Sequence, residues 1–306
     1  MLDVPIAFVV FNRPQPTKIS FARIRSARPS QLFLISDAPR SDRSGEAELV
    51  RESRRSAEQV DWPCDVQKIY ADENMGCGAR ISTGITEAMT QVERLIVLED
   101  DCVADPSFFR YCDKLLEQYR DDERVMAISG DNFQQGIRRT SASHYFSKYP
   151  HCWGWATWRR AWKHFQLEIP DWPEFRDSGH LAAICSSRRE IEYWTQILDN
   201  VHAGKSNSWA YPWTLCCWMQ HGLTALPAVN LVSNIGFGAD ATHTSRKNSV
   251  TSLPAQRLET IVHPKAVARH YAADSFTDRL LFSGAGRRPS PLSRLRQSLR
   301  SRIKAA

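Results

Sequence analysis

The sequence predicts an α/β protein in which a mostly parallel β-sheet is covered by helices on both faces. Short apolar runs of five to seven residues alternate, along the first half of the chain, with longer stretches of helical periodicity. The chain has 306 residues, of which 42% are hydrophobic, so it can bury a large core. Polar residues follow every apolar run, as expected where parallel strands end at one edge of a sheet.

The apolar runs are the predicted strands, and the stretches between them are the predicted helices. The predicted strands cover residues 5–11, 31–36, 66–70, 94–98 and 125–129. The predicted helices cover residues 16–28, 42–60, 79–90 and 106–120. In the last of these helices, apolar residues recur at the spacing of one helix face. This alternation favours strand–helix–strand units and therefore a parallel sheet.

The second half of the chain is rich in aromatic residues, with nine of the ten tryptophans between residues 153 and 218. Trp155, Trp158 and Trp162 have helical spacing, so we expect them to pack in the core. In Trp153-Gly154-Trp155 a glycine leaves backbone accessible beside two flat apolar faces, which suits a carbohydrate ring as well as a core. We therefore divide the chain into a first half at 1–135, an aromatic-rich half of the same domain at 136–275, and a tail at 276–306.

The charge of the chain is concentrated in its last residues. The net charge is +6, but residues 287–304 hold seven basic residues and no acid, which leaves 33 basic and 34 acidic residues elsewhere. A nearly neutral body argues against nucleic-acid binding. Leucine and isoleucine recur in the tail at three- and four-residue steps. The tail is either a basic amphipathic helix on an anionic membrane surface or a solvated terminus.

The cysteines and the first predicted strand indicate the cellular compartment in which the protein works. The eight cysteines include no Cys-x-x-Cys pair and no zinc-ligand spacing, so we expect them to be reduced and structural. The run at 5–11 is too short to span a bilayer and lacks the flanks of a signal peptide. We expect a cytoplasmic protein, with peripheral attachment to the inner face of the membrane if the tail binds lipid.

Three consecutive carboxylates, Glu99-Asp100-Asp101, follow the fourth predicted strand. Carboxylates packed together at the end of a buried strand repel one another and lose hydration, so a positive group normally compensates them. A metal-bound phosphate would do so. The alternative is an acidic loop before a helix, with Asp105 as N-cap and Pro106 in the first turn. Local sequence leaves both interpretations open.

Ordered blocks along the chain carry a family resemblance. The blocks are Pro5 to Arg13, the Ser36-Asp37 turn, Asn74 to Gly78, Leu98 to Asp101, Cys152 to Trp158, and Asn230 to Gly238 continuing through Ala241 to Thr244. With these blocks the chain resembles bacterial glycosyltransferases of the GT-A fold, which have a Rossmann-like nucleotide-sugar domain. It is similar in particular to family 2-like enzymes and to the N-acetylglucosaminyltransferase I group that acts on glycoproteins. The resemblance covers roughly residues 4–245.

The resemblance implies roles for individual residues, with the donor sugar nucleotide in the first half and the acceptor in the second. Asp101, with His243 as a later ligand, would bind Mn²⁺ or Mg²⁺ on the diphosphate of the donor, for which a UDP-sugar is expected. The other implied donor-binding residues are Asn12, Arg13, Asp37, Asn74, Gly76, Cys77, Arg80, Glu99 and Asp100. The implied acceptor-binding residues are Trp153, Gly154 and Trp155. Arg13 in a solvated turn, the glycines in a helix-capping turn and a structural His243 are the non-functional alternatives.

The catalytic base is where the chain departs from the family pattern. An inverting transferase needs a carboxylate to take the proton of the acceptor hydroxyl. Relatives often have Trp-Asp-Tyr-x-Trp where this chain has Trp209-Ala210-Tyr211-Pro212-Trp213. Other candidates close in sequence are weak: Asp171, Glu174, Glu192 and Asp199.

The function expected from these observations is metal-dependent, inverting transfer of a sugar to a glycan or lipid-linked acceptor, as in polysaccharide biosynthesis. The alanine at position 210 makes an impaired or non-catalytic nucleotide-sugar-binding protein the first alternative. A sugar nucleotidyltransferase is the second alternative. Such an enzyme would be expected to have a glycine-rich phosphate loop after its first strand, which Asn12-Arg13-Pro14 lacks.

Overall fold

The computed structural model describes residues 2–236 and 253–283, and its central element is an eight-stranded sheet. The sheet strands are β1 (Ile6–Val10), β2 (Gln31–Ser36), β3 (Asp65–Tyr70), β4 (Arg94–Glu99), β6 (Val125–Ser129), β7 (His144–Ser147), β8 (Trp155–Trp158) and β9 (Leu223–Pro227). A separate two-stranded sheet pairs β5 (Cys102–Ala104) with β10 (Val232–Asn234). All five strands predicted from the sequence are confirmed.

Helices connect these strands. They are α1 (Pro14–Ala27), α2 (Glu46–Ala57), α3 (Cys77–Gln91), α4 (Pro106–Gln118), α5 (Arg159–Trp162), α6 (Trp172–Asp177), α7 (His180–Ile184), α8 (Arg188–His202), α9 (Ala210–Met219) and α10 (Tyr271–Thr277), which a π-helical turn (Asp278–Phe282) continues. The four predicted helices are confirmed as α1 to α4. Asp105 caps α4 by accepting a hydrogen bond from the Ser107 amide, and Pro106 begins the helix, as predicted.

The sheet is mixed but mostly parallel, in the order β3-β2-β1-β4-β8-β6-β9-β7. Strands β3, β2, β1 and β4 run parallel to one another, and β6 runs parallel to β9. Strand β8 is antiparallel to both β4 and β6, and β7 is antiparallel to β9. The predicted α/β fold class is therefore correct. Strands β7, β8 and β9 come from the second half of the chain, so both halves build one sheet.

Side chains alternate between the two faces of the sheet, and each face has its own core. In β1, Phe8 packs on the face covered by α1 and α4, and Ala7 packs on the face covered by α3 and α9. Burial on both faces explains why β1 and β2 are nearly continuous apolar runs rather than alternating ones. Trp155 and Trp158 pack in the core as predicted, but they lie on strand β8 and not on a helix.

A third cluster, formed by the helices α6, α8 and α9, supports the second half of the chain. Beside it, the Lys148 ammonium and the Glu190 carboxylate form an ion pair that is almost fully buried. Asp278, in the π-helical turn, is buried as well, so the segment predicted as a tail from 276 begins inside the folded part. Residues 287–304 lie outside the described residues. Among the described residues, none of the helices is long and apolar enough to cross a membrane.

Candidate functional site

The ends of three parallel strands meet at one edge of the sheet, because β1 lies between β2 and β4. Val9 pairs with Glu99, and Val10 pairs with Ser36, so the residues after each strand become neighbours. The predicted site residues around Arg13, Asp37 and the Glu99–Asp101 triplet follow these strands. Ligands of open α/β sheets bind at such an edge.

The Arg13 guanidinium bridges two carboxylates of the triplet. It forms an ion pair with Asp100, to which it donates two hydrogen bonds, and its Nη1 lies 3.0 Å from Asp101 Oδ2. The Asp100 side chain is 4% exposed, that of Asp101 13% and that of Arg13 19%. A charged partner therefore compensates the triplet, as the sequence required, and Asp101 is the carboxylate of this pair that is nearer to solvent.

A second strand pair closes on Asp101 from the other side. Strand β10 pairs with β5, directly after the triplet, and Asn234 Nδ2 donates to Asp101 Oδ1 at 3.2 Å. The Ile235 amide donates to the Asp101 carbonyl at 2.9 Å. At Gly236 an added Cβ would lie 2.0 Å from Asp101 Oδ2, so only glycine fits this close approach. Sequence reasoning missed Asn234 and Gly236 as site residues, although Asn-x-Gly is a turn signal.

Burial and mutual repulsion raise the pKa values of Glu99 and Asp100 in the triplet. Burial, followed by the charges of Asp101 and Asp100, raises the pKa of Glu99 far above its ordinary value. A hydrogen bond with the Trp209 side chain opposes this pKa rise, which places Trp209 beside Glu99. Burial also raises the pKa of Asp100, and the attraction of Arg13 lowers it in part. The triplet therefore holds its negative charge at a free-energy cost that a cation would relieve.

Asp37 shapes the wall of the site through backbone contacts. Its Oδ1 accepts from the Ala38 and Met75 amides, both at 3.0 Å, and its Oδ2 accepts from the Gly76 amide at 2.8 Å. Asn74, which is exposed, donates to the Ala38 carbonyl at 2.6 Å. Asp37 thus ties the end of β2 to the loop before α3 and has no carboxylate oxygen free of a backbone partner.

Asn12 is likewise held by a protein group. Its Nδ2 donates to Glu46 Oε1 at 2.9 Å, and Glu46 also forms an ion pair with Arg40. Hydrogen bonds from Arg40 lower the pKa of Glu46 to about 2. The Arg40 guanidinium lies 5.7 Å from the centre of the Phe11 ring. Glu46 was not among the predicted site residues, although it lies within the helix predicted at 42–60 and is the first residue of α2.

The N-terminus of α3 is built around two glycines and Asn207. Gly76 has φ +79°, which favours glycine, and Asn207 Oδ1 accepts from the Gly78 amide at 2.7 Å. Burial raises the pKa of the Cys77 thiol to about 12, so this thiol is neutral at physiological pH. Asn207 reaches this helix from a segment 129 residues further along the chain.

Arg80 is a buried cation at this edge. It is 6% exposed, its Nε has no hydrogen-bond partner, and burial lowers its pKa. Within the described ranges no carboxylate lies at ion-pair distance from it, although the charge of Asp37 acts on it. Its guanidinium lies beside Gly84, about two turns into α3, and not at the first turn.

The predicted acceptor residues separate into core and surface. Trp155 is 1% exposed and stacks on Trp209 with ring centroids 5.1 Å apart. Gly154 has φ +69°, and an added Cβ there would lie 2.7 Å from Val232 Cγ2. Trp153 is half-buried and meets Phe133 edge-on, with ring centroids 5.3 Å apart. Only Trp153 of the three has a side chain at the surface of the site.

The four candidate bases lie on helices of the third core cluster. Asp199 accepts from the Trp172 indole at 2.8 Å and pairs with Arg176, and Glu192 pairs with Arg188. Asp171 and Glu174 are exposed at the start of α6. None of the four is among the charges that perturb the triplet. His243 lies outside the described residues.

The chemistry of the triplet fits a dication that shares its coordination with a ligand. No group of three or more histidine, cysteine or acidic side chains within residues 2–236 and 253–283 forms a complete metal cage. Magnesium-type sites need no such cage, because one or two carboxylates plus phosphate and water suffice. Asp101, with oxygen donors and partial exposure, is suited to that arrangement.

No protein-family model matches the chain, and no curated protein matches it in sequence. Among solved structures, the mannosyltransferase PcManGT from Pyrobaculum calidifontis, in complex with GDP-Man and Mn²⁺, is similar over 72% of this chain and 71% of its own, with 10% identity and a TM-score of 0.38. An apo UDP-glucose pyrophosphorylase is similar over 74% of this chain and 90% of its own, with 11% identity and a TM-score of 0.37. Similarity at this level carries no argument about activity, and membership of the N-acetylglucosaminyltransferase I group stays a prediction.

Proposed function

We propose that the protein is a metal-dependent glycosyltransferase that moves a sugar from a nucleoside diphosphate sugar to a glycan or lipid-linked acceptor. The observation that carries the proposal is the contact of Arg13 with Asp100 and Asp101 where β1 and β4 end. Residues 234–236 close this cluster on one side. The arrangement supports a ligand that brings both a cation and phosphate oxygens.

In this proposal Asp101 holds Mn²⁺ or Mg²⁺, and Arg13 donates to the phosphate oxygens. When bound, the metal acts as a Lewis acid that stabilises the leaving nucleoside diphosphate. Glu99 accepts a hydrogen bond from a hydroxyl of the donor sugar, and Asp100 orients Arg13. Arg80 supplies a second positive charge, buried near Asp37. We expect a UDP-sugar as donor and inversion at the anomeric carbon.

Donor and metal binding can be measured together by thermal shift. Wild-type protein is heated with UDP-, GDP- and dTDP-sugars, with and without Mn²⁺. Because ligands that bind only the native state raise its melting temperature, we expect a rise for one nucleotide family that depends on Mn²⁺. Asp101→Asn should abolish that rise, and the exposed Asp121→Asn should keep it. A rise that is unchanged in Asp101→Asn would exclude the metal role.

The reaction products separate the proposed function from its alternatives. A glycosyltransferase releases nucleoside diphosphate from the sugar nucleotide, with water or a glycoside as acceptor. A sugar nucleotidyltransferase instead releases pyrophosphate from a nucleoside triphosphate and a sugar 1-phosphate. A binding protein gives the Mn²⁺-dependent thermal shift and neither product. Pyrophosphate release without nucleoside diphosphate release would overturn the proposal.

A further inference from the structure

Asp131, directly after β6, is a buried carboxylate that is only half satisfied. It is 1% exposed. Its Oδ2 accepts a hydrogen bond from the Trp153 amide at 2.9 Å, whereas its Oδ1 is buried and has no hydrogen-bond partner. A buried polar atom without a partner costs about 1–3 kcal/mol, so its presence needs a reason. Burial also raises the pKa of Asp131 well above its ordinary range.

The strand register places Asp131 opposite the triplet. Trp155 of β8 pairs with Val97 of β4 on one side and with Ser129 of β6 on the other. Glu99 lies two residues after Val97, and Asp131 lies two residues after Ser129. The two acids therefore lie on either side of the segment at 153–154. Neighbouring strands are about 4.8 Å apart, so the two backbones are separated by about 10 Å. The backbone at 153–154 lies between them and is bonded to the Asp131 side, through the Gly130 amide to the Gly154 carbonyl at 2.7 Å and the Trp153 amide to Asp131 Oδ2 at 2.9 Å.

Electrostatics agrees with this placement. The thiols of Cys102 and Cys152 have pKa values raised by burial, and the charges of Glu99, Asp101 and Asp131 all add to the rise at both thiols. Both thiols therefore lie within the field of the triplet and of Asp131 at once. This agrees with the strand register, which places Asp131 two strands away from the triplet.

Two of the four other carboxylates considered as bases are engaged elsewhere, and the other two, Asp171 and Glu174, are exposed at the start of α6. Asp199 and Glu192 pair with residues of their own helical cluster. Ala210 begins α9 next to Trp209, which contacts Glu99, so the position that would carry an acid in relatives lies beside the triplet but has no carboxylate. Of the acids discussed, Asp131 combines nearness to the triplet with an oxygen that is free to accept a proton.

We propose that Asp131 is the catalytic base, and this proposal rests on the transferase function proposed above. The acceptor oxygen attacks the anomeric carbon of the donor, and a new C–O bond forms there. The bond from the anomeric carbon to the diphosphate breaks, and its electron pair leaves with the diphosphate. The acceptor proton passes to Asp131 Oδ1. Because Asp131 is buried, the segment at Trp153 has to shift when the acceptor binds.

Asp131→Asn keeps the shape of the side chain and removes the base. The probe is the sugar nucleotide that gives the wild-type thermal shift, with water and octyl glycosides as acceptors. We expect the donor-induced shift to stay and kcat for nucleoside diphosphate release to fall at least 100-fold, the scale of general base catalysis. Azide needs no base, so it should restore release and give a glycosyl azide. A purely structural role would not give this rescue.

Several outcomes overturn the assignment. They are an Asp131→Asn variant with kcat within threefold of wild type, a variant that has lost donor binding, and a variant that azide does not rescue. If Asp131→Asn does not fold, the wild type is assayed across pH: release with water should fall at low pH and release with azide should not, and parallel profiles would reject the base. Asp121→Asn is the matched control. Absence of donor binding or release in wild type would instead refute the proposed function itself.

Discussion

Replacing Arg13 with alanine tests whether the cluster at the strand ends is a buried charge network. Arg13 pairs with Asp100 and Asp101, and the Asp100 side chain is only 4% exposed. Removing one partner of a buried pair costs about 3–5 kcal/mol, because it leaves a charge without compensation. Arg13 is itself 19% exposed, so we take the low end, about 3 kcal/mol. For a chain of this size that lowers the melting temperature by about 5 °C.

The matched control lies on α1, the helix that begins directly after Arg13. Arg25 pairs with Asp61, but these two side chains are 58% and 52% exposed. An exposed pair is screened by solvent and contributes little, so Arg25→Ala should lower the melting temperature by less than half as much as Arg13→Ala. Calorimetry of both variants without metal or nucleotide measures the difference. Equal losses in Arg13→Ala and Arg25→Ala would refute the description of the cluster as a buried network.

The pH dependence of the Arg13→Ala deficit follows from the direction of the pKa shifts. Burial raises the pKa of Asp100 in the folded state, and Arg13 lowers it in part. Without Arg13 the folded pKa rises further above the unfolded value. A carboxyl with a raised folded pKa contributes its stability below the unfolded pKa and loses it as pH rises through the folded pKa. The deficit should therefore be smaller at pH 5 than at pH 8, and a deficit independent of pH would contradict this reasoning.

Three further substitutions test other parts of the site. Gly236→Ala adds a methyl group that would lie 2.0 Å from Asp101 Oδ2, so it should weaken Mn²⁺-dependent donor binding at least tenfold. Calorimetric titration measures this affinity, and an unchanged affinity would count against the contact. Asn207→Ala removes the acceptor for the Gly78 amide and should lower the free energy of unfolding, measured in urea, by about 1 kcal/mol. No loss would show that water replaces the Asn207 side chain as acceptor. Glu99→Gln removes a carboxylate whose pKa is raised, so without ligands it should raise the melting temperature at pH 8 more than at pH 5.

The sequence predicts the first half of the fold well, because β1, β2 and β4 are buried along most of their length and helices such as α4 have a regular apolar face. It predicts the second half less well. Trp155 and Trp158 have a helical spacing but lie on β8, which pairs on both sides with strands distant in sequence. Spacing alone cannot reveal such pairing, since a strand of four residues buried on both faces has no periodicity of its own.

For the candidate site as well, the sequence predicts less than the structure shows, because it does not reveal contacts between side chains. Polar residues after each strand predict where a ligand binds, but not how these residues bind one another. Asp37 is a donor-site candidate by position, yet its carboxylate accepts three backbone amides, so it supports the wall of the site. Asn234 and Asn207 belong to the site through contacts that span more than 120 residues of sequence.

The position of Asp131 shows why a missing motif residue does not settle the question of catalysis. The resemblance in sequence implies a carboxylate at position 210, where this chain has alanine, and from sequence alone that suggests an impaired enzyme. The strand register brings a different carboxylate to the other side of the segment at 153–154, where one oxygen is held by the Trp153 amide and the other has no partner. A proton acceptor needs reach and an unoccupied oxygen rather than a fixed place in the chain. Loss of Asp131, and not the alanine at 210, is therefore the change that should stop transfer.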